Sequence, residues 1–207
     1  TPHGGGGPGS GPVCVNKKLA PFLPIPRIEE KNGTYSLSED YPDSIGKLDT
    51  FHGHFGVMLK AYSYILSMGP EGLKKVSQLA VLNANYIKEK LKGDFYLPHD
   101  KPCMHECVFT DQYQEEFKVT TLHIAKRLMD YGFHPPTVYF PLVVHGAIMI
   151  EPTETESKED IDQFIDAMQQ IAREAKEDPD VLLNAPHKSK VGRLDETTAA
   201  RKPCLAG

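Results

Sequence analysis

No stretch of the 207 residues approaches the roughly 18 consecutive apolar positions that a membrane-spanning helix needs, and the N-terminus has neither a basic n-region nor an apolar h-region. A soluble chain is expected. Cysteine is scarce: Cys14, Cys103, Cys107 and Cys204 stand in a chain without a secretory signal, so free thiols in a reducing compartment are expected and a disulfide-stapled miniprotein is excluded. Basic charge is in deficit. With 23 Lys and Arg against 28 Asp and Glu, the net charge of −5 argues against a general nucleic-acid or anionic-membrane binder, either of which needs a concentrated basic surface. There is no internal repeat. The ordinary shares of hydrophobic (40%) and charged (25%) residues exclude wholesale disorder. At ~100–200 residues per domain, the length suits one or two domains.

The unusual feature is the start. Thr1 to Pro26 holds six Gly and six Pro, and Thr1 to Pro12 carries no Asp, Glu, Lys or Arg. Such composition ordinarily marks a flexible linker. Here it runs into the apolar Leu19-Ala-Pro-Phe-Leu-Pro-Ile25, poor material for a solvated tether, and the four glycines Gly4 to Gly7 would let a backbone approach a ligand closely. A phosphate-cradling P-loop is rejected, because the Gly-Lys-Ser/Thr ending is missing and no strand precedes.

Asn32-Gly33 between Ile25–Lys31 and Thr34–Leu37 predicts a hairpin with a type I′ turn. Phe55 to Ser67 reads as a helix buried over much of its circumference, broken by Gly69-Pro70. Glu71 to Lys92 is a second helix, with Leu73, Val76, Ala80, Ala84, Ile87 and Leu91 on one face. Strands are then expected at Phe95–Leu97 and Met104–Thr110, a helix at Thr120–Tyr131, strands at Thr137–Phe140 and Ala147–Ile150, and an amphipathic helix at Ser157–Lys176 with Ile161, Phe164, Ile165, Met168, Ile171 and Ala175 inward. This β-β-α-β-β-α order suggests a small sheet covered by helices, an α+β layer architecture. The polar segment 184–207 would wrap another surface or fray.

If Met104–Thr110 is a strand, Cys103, His105 and Cys107 project from one face and could hold zinc with His99 as a fourth ligand. Structural zinc sites draw on two short knuckles, and only one cluster exists here, so a buried strand face is favoured. Phe109 occupies the place of the second zincin histidine. His52 and His54 could ligate a metal, meet a carboxylate or cap the helix entrance; the last is the usual fate of an isolated pair. His3, beside glycines without side chains, would be open to whatever that loop approaches. No nucleophile elbow and no carboxylate pair can be read.

Several strings resemble the glycine decarboxylase family, the pyridoxal-phosphate-dependent P-proteins of the glycine cleavage system. They are Thr1-Pro-His-Gly-Gly-Gly-Gly-Pro-Gly-Ser-Gly-Pro-Val13, Leu19-Ala-Pro-Phe-Leu-Pro24, Leu82-Asn-Ala-Asn-Tyr86, His105-Glu-Cys107, Ile124 to His134, Met149-Ile-Glu-Pro-Thr-Glu154 and Asn184-Ala-Pro-His187. Tyr139-Phe-Pro-Leu-Val-Val-His-Gly146 and the ending from Arg193 to Pro203 look like the second, β-type subunit of the two-chain bacterial form.

The resemblance implies fold type I of the pyridoxal-phosphate enzymes, an α/β to α+β class. Residues 1–50 would be the end of the large cofactor domain with its Gly-rich active-site loop, 51–92 connecting helices, and 93–207 a small C-terminal α+β domain with an extended tail. It also implies that the Schiff-base lysine lies upstream of Thr1, which makes the chain a C-terminal fragment expected to be inactive alone. The implied activity is decarboxylation of glycine on pyridoxal phosphate and transfer of the aminomethyl group to the lipoyl arm of H-protein. P-protein subunit 1 would be the hetero-oligomeric partner, in the cytoplasm, with neither nucleic acid nor membrane involved. His3 would be close to cofactor or substrate, and Gly4, Gly5, Gly6 and Gly7 would border the active site. For Glu106 and His134 a structural role stays equally open. Two other classes remain as alternatives: a non-catalytic subunit-assembly module and a thiol-rich metal protein.

Overall fold

The computed structural model describes residues 9, 11–50 and 53–205. It divides into two compact units, Thr1–Glu71 and Gly72–Gly207.

Unit 1 contains a hairpin of β1 (Arg27–Lys31) and β2 (Thr34–Ser38). Lys31 pairs with Thr34, and Asn32 and Gly33 between them take φ of 55° and 78°, the two left-handed positions a type I′ turn demands. The hairpin thus forms as the dipeptide predicts. Helix α1 (Phe55–Leu91) begins in this unit and is interrupted at Gly69, whose φ of 63° and ψ of 178° belong to a region that glycine alone occupies readily. Pro70 follows, and the expected break is present. The expectation of a buried Phe55–Ser67 helix is not met. Tyr62 is 60% and Leu66 64% exposed, and Val57 is the one buried hydrophobic residue of unit 1 among those described. Periodicity identifies apolar positions, but burial also needs a covering layer, and the described part of unit 1 provides none.

Unit 2 has the three-stranded antiparallel sheet β3 (Cys107–Thr110), β5 (Ala147–Ile150), β4 (Thr137–Val138), with β5 central. Cys107 pairs with Ile150 and Phe109 with Ile148, and all four side chains are buried. Helices α2 (Thr121–Asp130), α3 (Lys158–Glu177) and α4 (Pro179–Leu183) complete the core. Ile124 and Leu128 of α2, and Ile161, Ile165, Met168, Ile171 and Ala175 of α3, recur at steps of three and four and join Ile87 and Leu91 of α1 in one cluster. Each fully buried Ile, Leu or Phe is worth about 1.5–3 kcal/mol. Ser157 caps α3 by accepting from the Asp160 N–H at 3.1 Å. In the tail, Asp195 caps the short α5 (Glu196–Arg201), accepting from the Thr198 N–H at 2.9 Å.

Three strands of unit 2 are shorter than expected, β4 ending at Val138 rather than Phe140, where Tyr139 takes a φ of 56°. The one predicted over Phe95–Leu97 reduces to a single bridge between Tyr96 and Thr110. The one predicted from Met104 starts at Cys107, because Asn85 of α1 captures the preceding chain: its amide donates to the Cys103 carbonyl at 2.8 Å and accepts from the Cys103 N–H at 3.1 Å. No helix among the described residues is long and apolar enough to cross a membrane.

Candidate functional site

The segment just after the glycine-rich opening is built around one guanidinium. Arg27, the first residue of β1, turns back to donate to the carbonyls of Pro21 at 2.7 Å, Leu23 at 2.6 Å and Pro24 at 3.4 Å. Its guanidinium carbon lies 3.8 Å from the centroid of the Tyr41 ring, a cation–π stack. The Tyr41 hydroxyl donates to Glu29 at 2.8 Å; that bond is the main reason the Glu29 carboxyl titrates below its ordinary range and the Tyr41 phenol above its own. Ser44 adds a hydrogen bond to the Leu23 carbonyl at 2.7 Å, and the Ile25 and Ile45 amides pair with Gly46 and Phe22. Residues 19–26, rich in proline and poor in internal hydrogen bonds, are therefore held by a polar frame rather than by a core.

His3 and Gly4 to Gly7, which the family resemblance implies border the active site, lie outside the described residues, as does His52. His54 stands at the helix entrance, its carbonyl accepting from the Val57 and Met58 amides at 3.0 Å each. The zinc arrangement is corrected. Cys103 and His105 precede the strand and share no strand face with Cys107. Burial pushes the Cys107 thiol up to about 12 and raises Cys103 as well, the reverse of what a thiolate ligand needs. His105 points its Nε2 towards Glu151 at 3.7 Å and Glu106 at 3.9 Å. Among the described residues no group of three or more His, Cys, Asp and Glu is placed to hold a metal ion. His134 lines a cavity in unit 2.

Sequence reasoning missed a buried clasp in unit 2. The Asp111 carboxylate accepts from the Thr121 N–H at 2.7 Å and the Thr121 hydroxyl at 3.0 Å, capping α2, and that hydroxyl also lies 2.6 Å from the Gly146 carbonyl. Gly146 has φ of 62°, and a Cβ there would stand 1.9 Å from Asp111 Oδ1. The signal available in the sequence is the lone glycine between His145 and the β5 run.

The described residues do not fit pyridoxal phosphate. A lysine that anchors an aldehyde cofactor must be enclosed and free, and Lys88 is the one buried lysine among them. Its ammonium donates to the Lys101 carbonyl at 2.9 Å and lies 3.2 Å from Glu89. In unit 1, Lys47 is paired with Glu39 at 2.6 Å, and Lys17 is exposed beside an Arg27 already committed to three carbonyls.

Comparison with known proteins gives a consistent result. Residues 76–187 match the family model described as glycine dehydrogenase, C-terminal domain. The chain is 62% identical over 205 residues to the probable glycine dehydrogenase (decarboxylating) subunit 2 of Caldanaerobacter subterraneus subsp. tengcongensis, covering 99% of this chain and 42% of that protein. The proteins of the same name in Staphylococcus epidermidis (59% identical over 204 residues) and Listeria welshimeri (57% over 204 residues) are each matched over 99% of this chain, and over 41% and 42% of their own lengths. The chain thus spans less than half the length of these relatives. The crystal structure of a glycine decarboxylase (P-protein) of the glycine cleavage system, in inhibitor-bound form, superposes with a TM-score of 0.61 at 18% identity, over 75% of this chain and 37% of that one, which is a likeness of fold.

Proposed function

The chain belongs to the glycine dehydrogenase C-terminal-domain family, and from that premise we propose that it works as the C-terminal part of subunit 2 of a cytoplasmic, aminomethyl-transferring glycine dehydrogenase. The observation that carries this reading is the 62% identity maintained across 205 residues to a relative of that name. In the parent enzyme the chain would assemble with P-protein subunit 1 and serve a lipoylated H-protein, with glycine as substrate. In the parent enzyme, pyridoxal phosphate would supply the electron sink for decarboxylation.

This chain's contribution would be positioning. A run of four residues without side chains, Gly4 to Gly7, would suit a backbone that approaches a cofactor closely and a slender acceptor arm that enters beside it. His3 would place an imidazole there as a binding group or proton carrier. The Arg27 frame would fix the described residues 19–26 that follow.

Release of labelled CO₂ from carboxyl-labelled glycine tests the reading, using the full-length subunit that carries these residues with subunit 1, pyridoxal phosphate and lipoylated H-protein. Release is expected, and His3→Ala is expected to slow it at least about tenfold, at the low end of general acid–base contributions. Absence of release from the assembled wild-type enzyme overturns the functional reading and favours the assembly module. An unchanged rate for His3→Ala overturns only the assignment of His3.

A further inference from the structure

Unit 2 contains a cavity of about 360 Å³. Its floor is apolar, made by the buried Ile87, Ile150 and Ile161, with Phe133 and Phe164 meeting edge to face at 5.5 Å between centroids. Pro135, Pro136 and Pro152 form part of its wall, and a proline has no N–H to donate. The charged groups at its rim are all carboxylates, Glu151, Glu156 and Asp160, with His134 beside them and neither Lys nor Arg among the lining residues. The cavity is therefore rich in acceptors, poor in donors and apolar below.

We propose that this cavity binds a primary ammonium group carried on a short apolar stem. The rim carboxylates disfavour an anion, and a bare metal ion would find no cluster of three ligands. A polyol would leave its hydroxyls unpaired against the isoleucine and phenylalanine floor. An ammonium brings three donors and no acceptor, which complements the rim, and its stem removes apolar area from water. The volume lies at the lower end of ligand sites, matching a stem of a few carbons. Glu156 is the principal partner. Asp160 already meets the Ser157 hydroxyl at 2.7 Å and Glu151 lies 3.7 Å from His105, whereas Glu156 has no side-chain hydrogen bond or ion pair among the described residues. The ammonium could belong to a free amine or to a lysine side chain of another protein; both offer the same chemistry.

The test is methyl NMR on the full chain with isoleucine δ1 methyls labelled, titrated separately with n-hexylamine hydrochloride, n-hexanol, sodium n-hexanoate and Nα-acetyl-lysine methylamide. Hexylammonium is expected to shift the Ile87, Ile150 and Ile161 methyls saturably, hexanol to bind at least about threefold more weakly, and hexanoate to leave them unmoved. Glu156→Gln is expected to weaken hexylammonium about threefold, on the scale of an exposed ion pair, and to leave hexanol unchanged. The methyl spectrum itself reports that the variant is folded. Binding of the lysine derivative at comparable concentration assigns the source to a protein side chain, and preference for hexylammonium assigns it to a free amine. No saturable shift with hexylammonium, or equal affinity for all three hexyl probes, overturns the proposal. The outcome is independent of the decarboxylase reading, which rests on other residues.

Discussion

The two units hold themselves together by opposite means. In unit 2 an uninterrupted cluster of Ile, Leu, Phe and Met side chains is shared by a three-stranded sheet and four helices, the end of α1 among them, and the buried Asp111 and Thr121 are hydrogen-bonded to one another. In unit 1 Val57 is the one hydrophobic residue buried among those described, and the organising contacts are those of Arg27 with three carbonyls and the Tyr41 ring. A hydrophobic core is non-directional and tolerates imperfect geometry; a guanidinium frame depends on direction and spacing. Unit 2 therefore has what a self-sufficient fold requires, while unit 1 has a defined local shape with an apolar exterior.

Truncating one large apolar side chain in each unit breaks the comparison most sharply. Phe109→Ala is expected to cost about 3–5 kcal/mol in urea unfolding, because the side chain is fully buried. Tyr62→Ala, on the exposed first half of α1, should stay within about 0.5 kcal/mol in the same chain. Equal losses would show that the exposed face is covered in solution. Gly146→Ala comes next, at about 2–3 kcal/mol, since the new Cβ displaces the Asp111 carboxylate and leaves Thr121 groups unsatisfied. Its unfolding should lie in unit 2, read from loss of amide protection in α2.

Arg27→Lys sharpens the contrast from the other side. One ammonium cannot reproduce a planar fork reaching three carbonyls and stacking on a ring. Exchange of the Ile25 and Ile45 amides, which pair with Gly46 and Phe22, should quicken about tenfold or more, with protection in unit 2 unaltered. The smallest effect concerns His123 in the entrance of α2, which accepts from the Thr120 N–H at 2.9 Å. Burial and the facing Arg193 lower its pKa, and Asp111 partly opposes them. A histidine with a lowered folded-state pKa binds fewer protons folded than unfolded, so its contribution is intact above about pH 6.5 and is lost as pH falls below it. The urea midpoint of the chain should drop from pH 7.5 to pH 5.5, and His123→Gln should flatten that part of the profile.

Legibility in the sequence follows the range of the interactions. Asn32-Gly33, Gly69-Pro70 and the periodicity of α3 act over a few residues, and each produces the element it predicts. Contacts between residues far apart in the chain were not legible. Asn85 captures Cys103, 18 residues away and just ahead of β3, and the Asp111–Thr121–Gly146 clasp joins three segments no local pattern connects. The apolar character of Phe55–Ser67 was legible but its exposure was not, since periodicity does not say what lies opposite. The cavity in unit 2 arises from elements distant in sequence, so His134 and Glu156 gave no joint signal. The family was legible as literal strings, and the candidate active-site residues His3 and Gly4–Gly7 rest on that resemblance.

The central claim concerns the parent enzyme, and the fate of the glycine methylene carbon tests it most directly. When [2-¹³C]glycine is given to full-length subunit 2 with subunit 1, pyridoxal phosphate and lipoylated H-protein, the account predicts that the labelled carbon appears as an aminomethyl group on a lipoyl sulfur. Label remaining entirely in glycine, with both subunits folded and assembled, would contradict it.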